Sequence, residues 1–110
     1  MLERRWNERM PLNLPVDIAY AGSQLGGYRT RDIGVGGVFV EVPGEGILTV
    51  ETTVELFFLI NLGSRINEHR IKARVKRVVM DGIGMMFQDF DARAFRSLQE
   101  VLHYYQNNAN

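Results

Sequence analysis

Asp32-Ile33-Gly34-Val35-Gly36-Gly37 lies near the middle of the chain, and in it an acid is followed by three glycines. Two strand-like runs flank it, Gly27–Arg31 and Val38–Val42. Glycines here indicate either a positive φ or a backbone that another group approaches closely. One carboxylate beside bare backbone N–H groups suits a planar ligand with paired N–H donors, such as the edge of a guanine. The alternative is a purely structural role, as a glycine-rich turn that begins with an acid.

Outside this stretch the pattern is mostly that of β-strands. Alternating apolar and polar residues and β-branched runs predict six strands, and short turns separate them. Antiparallel strands with short turns favour closure, because closing a barrel removes the exposed edges. The fold predicted is a small antiparallel β-barrel or sandwich. Its strands are Leu14–Tyr20, Gly27–Arg31, Val38–Val42, Val54–Leu62, Ile66–Val79 and Ile83–Phe87, with a turn region at Ala21–Gly27 and a tight turn at Asp81-Gly82.

The two ends of the chain differ from this pattern. Phe95, Leu98, Leu102 and Tyr105 recur at helical spacing, which predicts one amphipathic helix over 91–106 that covers the core. The first ten residues are charged and lack clear strand alternation, and Pro11 and Pro15 discourage helix beyond them. We expect a single domain over 1–110, with an N-terminal arm (1–11), a barrel (12–88) and a C-terminal helix (91–106).

Composition excludes several function classes. Thirteen basic residues balance thirteen acidic ones, so a general nucleic-acid footprint is not expected. The basic residues are unevenly placed, however, with one cluster at Arg4–Arg9 and another at Arg70–Arg77, and a neutral protein can still present one positive pocket. There is no cysteine, no apolar run long enough for a membrane helix and no secretory signal. A cytoplasmic location without membrane insertion is expected.

The inventory of catalytic groups is poor. His69 and His103 have no acid or nucleophile at a suitable spacing, and both are predicted to lie at the surface. The carboxylates are scattered, which argues against a metal site, so neither catalysis nor a metal or other cofactor is expected. Arginine, by contrast, binds phosphates with a planar fork and reads the O6/N7 edge of guanine. An acid such as Asp32 can instead accept from the N1 and N2 hydrogens of guanine.

Two motifs together resemble the PilZ domain family of cyclic di-GMP receptors. Arg5-Trp6-Asn7-Glu8-Arg9 matches the family's Arg-x-x-x-Arg, and Asp32–Gly37 matches its Asp/Asn-x-Ser-x-x-Gly apart from Gly34, which stands where serine is usual. Three other stretches agree in outline: Leu14-Pro15-Val16, Gly36-Gly37-Val38-Phe39-Val40, and Gly82-Ile83-Gly84 with Phe87. The resemblance covers nearly the whole chain. It implies an all-β, six-stranded antiparallel barrel with a C-terminal helix, and an arm that wraps the ligand.

The resemblance also implies which residues bind cyclic di-GMP. Arg5 and Arg9 would contact phosphate and guanine, and Asp32 the guanine edge. At Gly37 a side chain would collide with the ligand or the fold. The missing hydroxyl at Gly34 costs about 1 kcal/mol if it made one hydrogen bond, and leaves the backbone as the only contact there. The candidate site comprises Arg4, Arg5, Arg9, Asp32, Gly34, Gly36, Gly37 and Arg77.

Two of these residues carry open alternatives. Arg4 extends the arm's basic cluster and could help to hold a stacked pair of ligands. Simple alternation puts Arg77 on the same face as Ile71 and Val75, which is unusual for a charge. Either Arg77 reaches the end of the barrel and stacks on a base, or a local bulge turns it to solvent.

The function predicted is a cyclic di-GMP receptor in motility, pilus or biofilm control. Its output would be a contact with a protein partner that the sequence does not identify. One alternative is a degenerate PilZ protein that binds no nucleotide and acts as an adaptor in pilus assembly. Another is an oligonucleotide-binding barrel using the basic strand Arg70–Arg77. A monomer or weak homodimer is expected, with Phe57 and Leu59 on the face available to a dimer or a helix.

Overall fold

Seven antiparallel strands make up most of the described part of the chain. The computed structural model describes residues 9–34, 36–42, 48–61 and 66–88, and residues 92, 93, 96, 99, 100, 102 and 103. The strands are β1 (Arg9–Pro11), β2 (Pro15–Tyr20), β3 (Ser23–Gly34), β4 (Gly37–Glu41), β5 (Thr53–Asn61), β6 (Ile66–Val79) and β7 (Gly82–Phe87).

Six of the strands close into a barrel. They follow the order β3-β2-β5-β6-β7-β4, and pairing between β3 and β4 joins the two ends of the sheet. β1 is a short seventh strand on the β2 side of β3. The six-stranded antiparallel barrel is therefore confirmed. Closure leaves none of the six strands with an open edge along its whole length.

The core fills the barrel with residues that alternate along each strand. On β5, for example, Val54, Leu56 and Phe58 are buried, whereas Phe57 and Leu59, which alternate with them, are only half-buried on the outer side. The Arg70 guanidinium lies 5.0 Å from the centre of the Phe57 ring. Other buried residues of the core include Leu14, Val16, Ile18, Ile33, Val38, Val40, Ile71, Ala73, Val75, Ile83 and Met85.

β3 is longer than the sequence pattern predicted. It begins at Ser23 instead of Gly27, because only Ala21 and Gly22 form the turn from β2, with φ of 54° and 82°. A two-residue turn with positive φ at both positions matches the twist of the strands that it joins. Gly26, with φ of 129°, lies where the register of β2 and β3 shifts. The Gly- and Ser-rich composition thus reflects a tight turn and a bulge rather than a long loop.

The turn between β6 and β7 also differs from the prediction. Val79 pairs with Gly82, so Met80 and Asp81 are its central residues and Gly82 is the first residue of β7. A Cβ atom on Gly82 would lie 2.2 Å from the Phe39 ring. Packing of Phe39, and not the turn, requires glycine at this position.

The predicted C-terminal helix lies largely outside the described residues. Its described residues each have helical conformation, and Leu102 packs against the core. A continuous helix over 91–106 therefore stays a prediction. No helix in the described part of the chain is long and apolar enough to cross a membrane.

His69 is not the surface residue that was predicted. Its side chain is only 11% exposed, and Nε2 lies 3.1 Å from a carboxylate oxygen of Glu100. The reason is register: His69 pairs with the buried Phe58, so it lies on the inward side of β6.

Candidate ligand-binding site

The acidic end of the central motif belongs to a strand and not to a turn. Asp32, Ile33 and Gly34 are the last residues of β3. The β3–β4 register shifts between Thr30 and Asp32, which marks a bulge at Arg31. Thr30 and Ile33 are both fully buried, whereas Arg31 is exposed and Asp32 half-buried. The bulge thus keeps Asp32 on the outer side of the barrel.

β1 brings the arm to the same end of β3. Arg9 pairs with Gly34 and Pro11 with Asp32. The predicted arm 1–11 therefore ends in a strand, whose register places Arg9 directly opposite the glycine of the motif. Arg4 and Arg5 lie outside the described residues.

Buried Thr30 holds the chain that leads from β1 to β2. Its hydroxyl accepts a hydrogen bond from the Leu14 N–H at 3.1 Å and donates one to the Leu12 carbonyl. Backbone bonds join Leu12 N to Arg31 O at 3.1 Å and Thr30 N to Leu14 O at 3.0 Å. Sequence reasoning missed Thr30, because a buried threonine in a strand has no distinctive pattern.

The last two glycines of the motif have different surroundings. A Cβ atom on Gly37 would lie 2.3 Å from the Met85 carbonyl oxygen of β7, so the close approach predicted at this position is to the fold. A Cβ atom on Gly36 would meet nothing within 4 Å. Gly36 is exposed, and its carbonyl accepts a hydrogen bond from the Phe87 N–H at 3.0 Å. Gly36 therefore presents open backbone to solvent.

A second bulge explains the position of Arg77. Val75 pairs with Met85 and Arg77 with Gly84, so Lys76 is the extra residue on β6. Both Lys76 and Arg77 are exposed. Of the two alternatives for Arg77, the structure has the bulge that turns it to solvent, and the same bulge presents Lys76 as well.

Gly36, Gly37 and the bulge of β6 meet in one open groove beside β4 and β7, which we call the β4–β7 groove; Asp32 and Gly34 are not among its described lining residues. Its volume of about 640 Å³ is within the range of small-molecule sites, roughly 300–1,000 Å³. Gly36 leaves exposed backbone on one side, and the bulge of β6 supplies two cations on the other. The groove is lined by Gly36, Gly37, Lys76, Arg77, Gly84, Met85 and Met86.

The carboxylate of Glu51 lies beside Lys76 of the β4–β7 groove. Glu51, in the turn before β5, places a carboxylate oxygen 2.9 Å from Lys76 Nζ and the other 3.4 Å from Arg74 Nη1. The hydrogen bond from Lys76 lowers the pKa of Glu51 below its usual range. Lys76, Glu51 and Met86 were not predicted as site residues. Lys76 belonged to a recognised basic strand, but no sequence signal indicated the bulge that exposes it.

Comparisons with known proteins agree with this architecture. A family model described as "PilZ domain" matches residues 3–104. The crystal structure of the PilZ domain of CeSA from a cellulose-synthesizing bacterium is similar, with a TM-score of 0.72 and 20% identity over 86% of this chain and 94% of that one. Bacillus subtilis Inhibitor of motility (MotI/DgrA) is also similar, with a TM-score of 0.70 and 15% identity. That match covers 91% of this chain and 50% of the Bacillus chain. No curated protein matches the sequence.

Proposed function

The chain belongs to the PilZ family, a family of cyclic di-GMP receptors, and on this premise we propose that it is a cytoplasmic receptor for cyclic di-GMP. The observation that carries the proposal is the convergence of the motif residues. Register brings Arg9 opposite Gly34, and both lie at the end of β3 from which the chain continues to Gly36 and Gly37 in the β4–β7 groove. The last residue of the first motif and the third residue of the second, far apart in the sequence, are thus paired at one end of the barrel.

The chemistry of these residues suits a ligand with two phosphates and two guanines. Arg5 and Arg9 make bidentate, charge-assisted hydrogen bonds to phosphate, and Arg9 is anchored by the pairing of β1. The Asp32 carboxylate accepts from the N1 and N2 hydrogens of guanine. Gly34 and Gly36 contribute backbone only, and Arg77, which the bulge of β6 turns to solvent, contributes positive charge from the β4–β7 groove. Arg4 adds charge for a stacked ligand pair.

The arm is the part that responds to the ligand. Phosphates neutralise the mutual repulsion of its arginines, so ligand binding changes the conformation of the arm and the surface that a partner protein meets. The output is that protein contact, in motility, pilus or biofilm control. The name of the similar Bacillus protein, an inhibitor of motility, supports this process by analogy.

Gly34 favours a second candidate function. It lacks the hydroxyl that is usual at this position of the family's motif, and a barrel without nucleotide binding would act as a protein adaptor in pilus assembly. The presence of Arg5, Arg9, Asp32 and Gly37 favours the receptor.

A double charge reversal separates the two candidates. In Arg5→Glu with Arg9→Glu, we expect calorimetry to show no cyclic di-GMP binding while circular dichroism shows an intact β-fold. A matched control is Arg93→Glu with Arg96→Glu, which makes the same change of charge at two exposed positions outside the β4–β7 groove. The control retains binding. Tight binding by the arm variant would overturn the assignment of Arg5 and Arg9 to the ligand site.

A further inference from the structure

The bulge of β6 exposes a lysine beside the predicted site. Lys76, between Val75 and Arg77, is the bulge residue that has no register partner on β7. It lines the β4–β7 groove together with Gly36 and Gly37. An exposed ammonium at the edge of an open groove is suited to phosphate, which lysine binds as a point charge.

The carboxylate of Glu51 contacts this ammonium. The Lys76 Nζ to Glu51 Oε2 distance is 2.9 Å, and the side chains are 44% and 56% exposed. Glu51 also has a φ of 75°, in the left-handed region that a non-glycine residue rarely adopts. Backbone strain of this kind persists only where the surrounding structure enforces it, and it is common at functional sites.

The ion pair is not needed to hold the turn in place. The Glu51 N–H donates to the Val75 carbonyl at 2.7 Å, and the Val75 N–H donates to the Thr52 carbonyl at 2.8 Å. Within the turn, the Thr52 N–H donates to the Thr49 carbonyl at 3.2 Å. Backbone bonds thus fix the turn against β6 next to the bulge, and the carboxylate of Glu51 is directed at Lys76 as a consequence.

We propose that Lys76 is a further phosphate-binding residue of the cyclic di-GMP site, and that Glu51 sets the affinity by competing with the ligand for the Lys76 ammonium. This inference rests on the proposed function. Exposed ion pairs are weak, so a ligand phosphate displaces the carboxylate, but the protein loses the ion pair when it binds. Glu51 also places a negative charge near the phosphates and so disfavours binding further.

Three variants and a control test the proposal by calorimetry with cyclic di-GMP at low salt. Glu51→Gln removes the charge but keeps the size of the side chain. Lys76→Met removes the ammonium, and the double variant combines both changes. Glu55→Gln is the control, since it also removes one negative charge, and Arg70, a cation 3.9 Å from its carboxylate, lies outside the β4–β7 groove.

Each variant has a distinct expected result. Glu51→Gln binds about two- to fivefold more tightly than the wild type, which is the range of an exposed ion pair. Lys76→Met binds at least about tenfold more weakly, the lower end for loss of a charged hydrogen bond. In the Lys76→Met background, Glu51→Gln gives no further gain, because the ammonium for which it competes is absent. Glu55→Gln binds like the wild type.

The experiment distinguishes failure of this inference from failure of the proposed receptor function. If the wild type binds but Glu51→Gln binds equally well, or if its gain persists without Lys76, this inference is overturned and the receptor function stands. If the wild type binds no cyclic di-GMP, the proposed function fails, and the inference fails with it.

Discussion

Gly36 and Gly37 are neighbours in the sequence, but an added Cβ atom meets different surroundings at the two positions. At Gly37 it would lie 2.3 Å from the Met85 carbonyl oxygen, which belongs to the backbone of the paired strand β7. The Met85 oxygen belongs to the backbone and the position of a Cβ is fixed by its own backbone, so neither atom can rotate away. β4 and β7 must therefore separate locally. We expect Gly37→Ala to lower the free energy of unfolding by about 1–3 kcal/mol, measured by urea denaturation.

Gly36→Ala is the matched control. Its added Cβ meets nothing within 4 Å, and the position lines the β4–β7 groove. Its stability should therefore equal that of the wild type, whereas its affinity for cyclic di-GMP falls. If Gly37→Ala were as stable as Gly36→Ala, the close approach of β4 and β7 would not be the reason for glycine at position 37.

Arg31 contributes to the stability of the fold in a way that depends on pH. Its guanidinium lies 4.5 Å from the centre of the Phe39 ring and 2.9 Å from Asp81 Oδ2. The hydrogen bond to Arg31 lowers the pKa of Asp81 below its ordinary value of 3.8. A carboxyl with a depressed folded pKa adds stability above its unfolded pKa and loses that contribution as the pH falls through the folded value.

We therefore predict how the stability of Arg31→Met differs from that of the wild type across pH. The wild type has the larger free energy of unfolding, and its advantage over Arg31→Met is constant at neutral pH. The advantage becomes smaller below about pH 4, where Asp81 becomes protonated. It does not vanish, because the contact with Phe39 persists in acid. Chemical denaturation between pH 7 and pH 3 measures it. Narrowing that also occurs in the background of Asp81→Asn would assign the effect to another carboxyl.

At the element scale, the sequence identified strands well and their irregularities poorly. Val38–Val42 and Ile83–Phe87 were found almost to the residue, because alternation and β-branched residues depend on local packing alone. The bulges at Arg31 and Lys76 were harder to find, since each depends on the register of a partner strand. β1 was missed for a similar reason: three residues have no periodicity, and only pairing with β3 defines them.

Thr30 tests whether the segment after β1 positions the arm. In Thr30→Val, the buried N–H of Leu14 loses its acceptor and the Leu12 carbonyl its donor. We expect a loss of about 1–3 kcal/mol in the free energy of unfolding, together with weaker cyclic di-GMP binding, because Arg9 lies just ahead of this segment. Thr30→Ser keeps the hydroxyl and should retain most of the affinity. Equal ligand affinity in the two variants would contradict a positioning role for the Thr30 hydroxyl.

At the scale of the whole molecule, acidic and basic residues are equal in number, but positive charge is concentrated in one region. Lys76 and Arg77 lie together in the β4–β7 groove, and the register of β1 brings Arg9 to the neighbouring end of β3. The motifs alone predicted that Arg9, Asp32 and Gly37 belong to one site. Lys76 and Glu51 could not be added, because the turn before β5 meets β6 only in the folded barrel.

Isothermal titration calorimetry of the wild-type protein with cyclic di-GMP, with GTP as the control ligand, tests the receptor function. We expect micromolar or tighter binding of cyclic di-GMP and none of GTP, and a stoichiometry near two would give Arg4 a role in holding a stacked ligand pair. Absence of cyclic di-GMP binding, or equal binding of GTP, would exclude a selective receptor and leave Gly34 as the mark of a site that has lost its nucleotide.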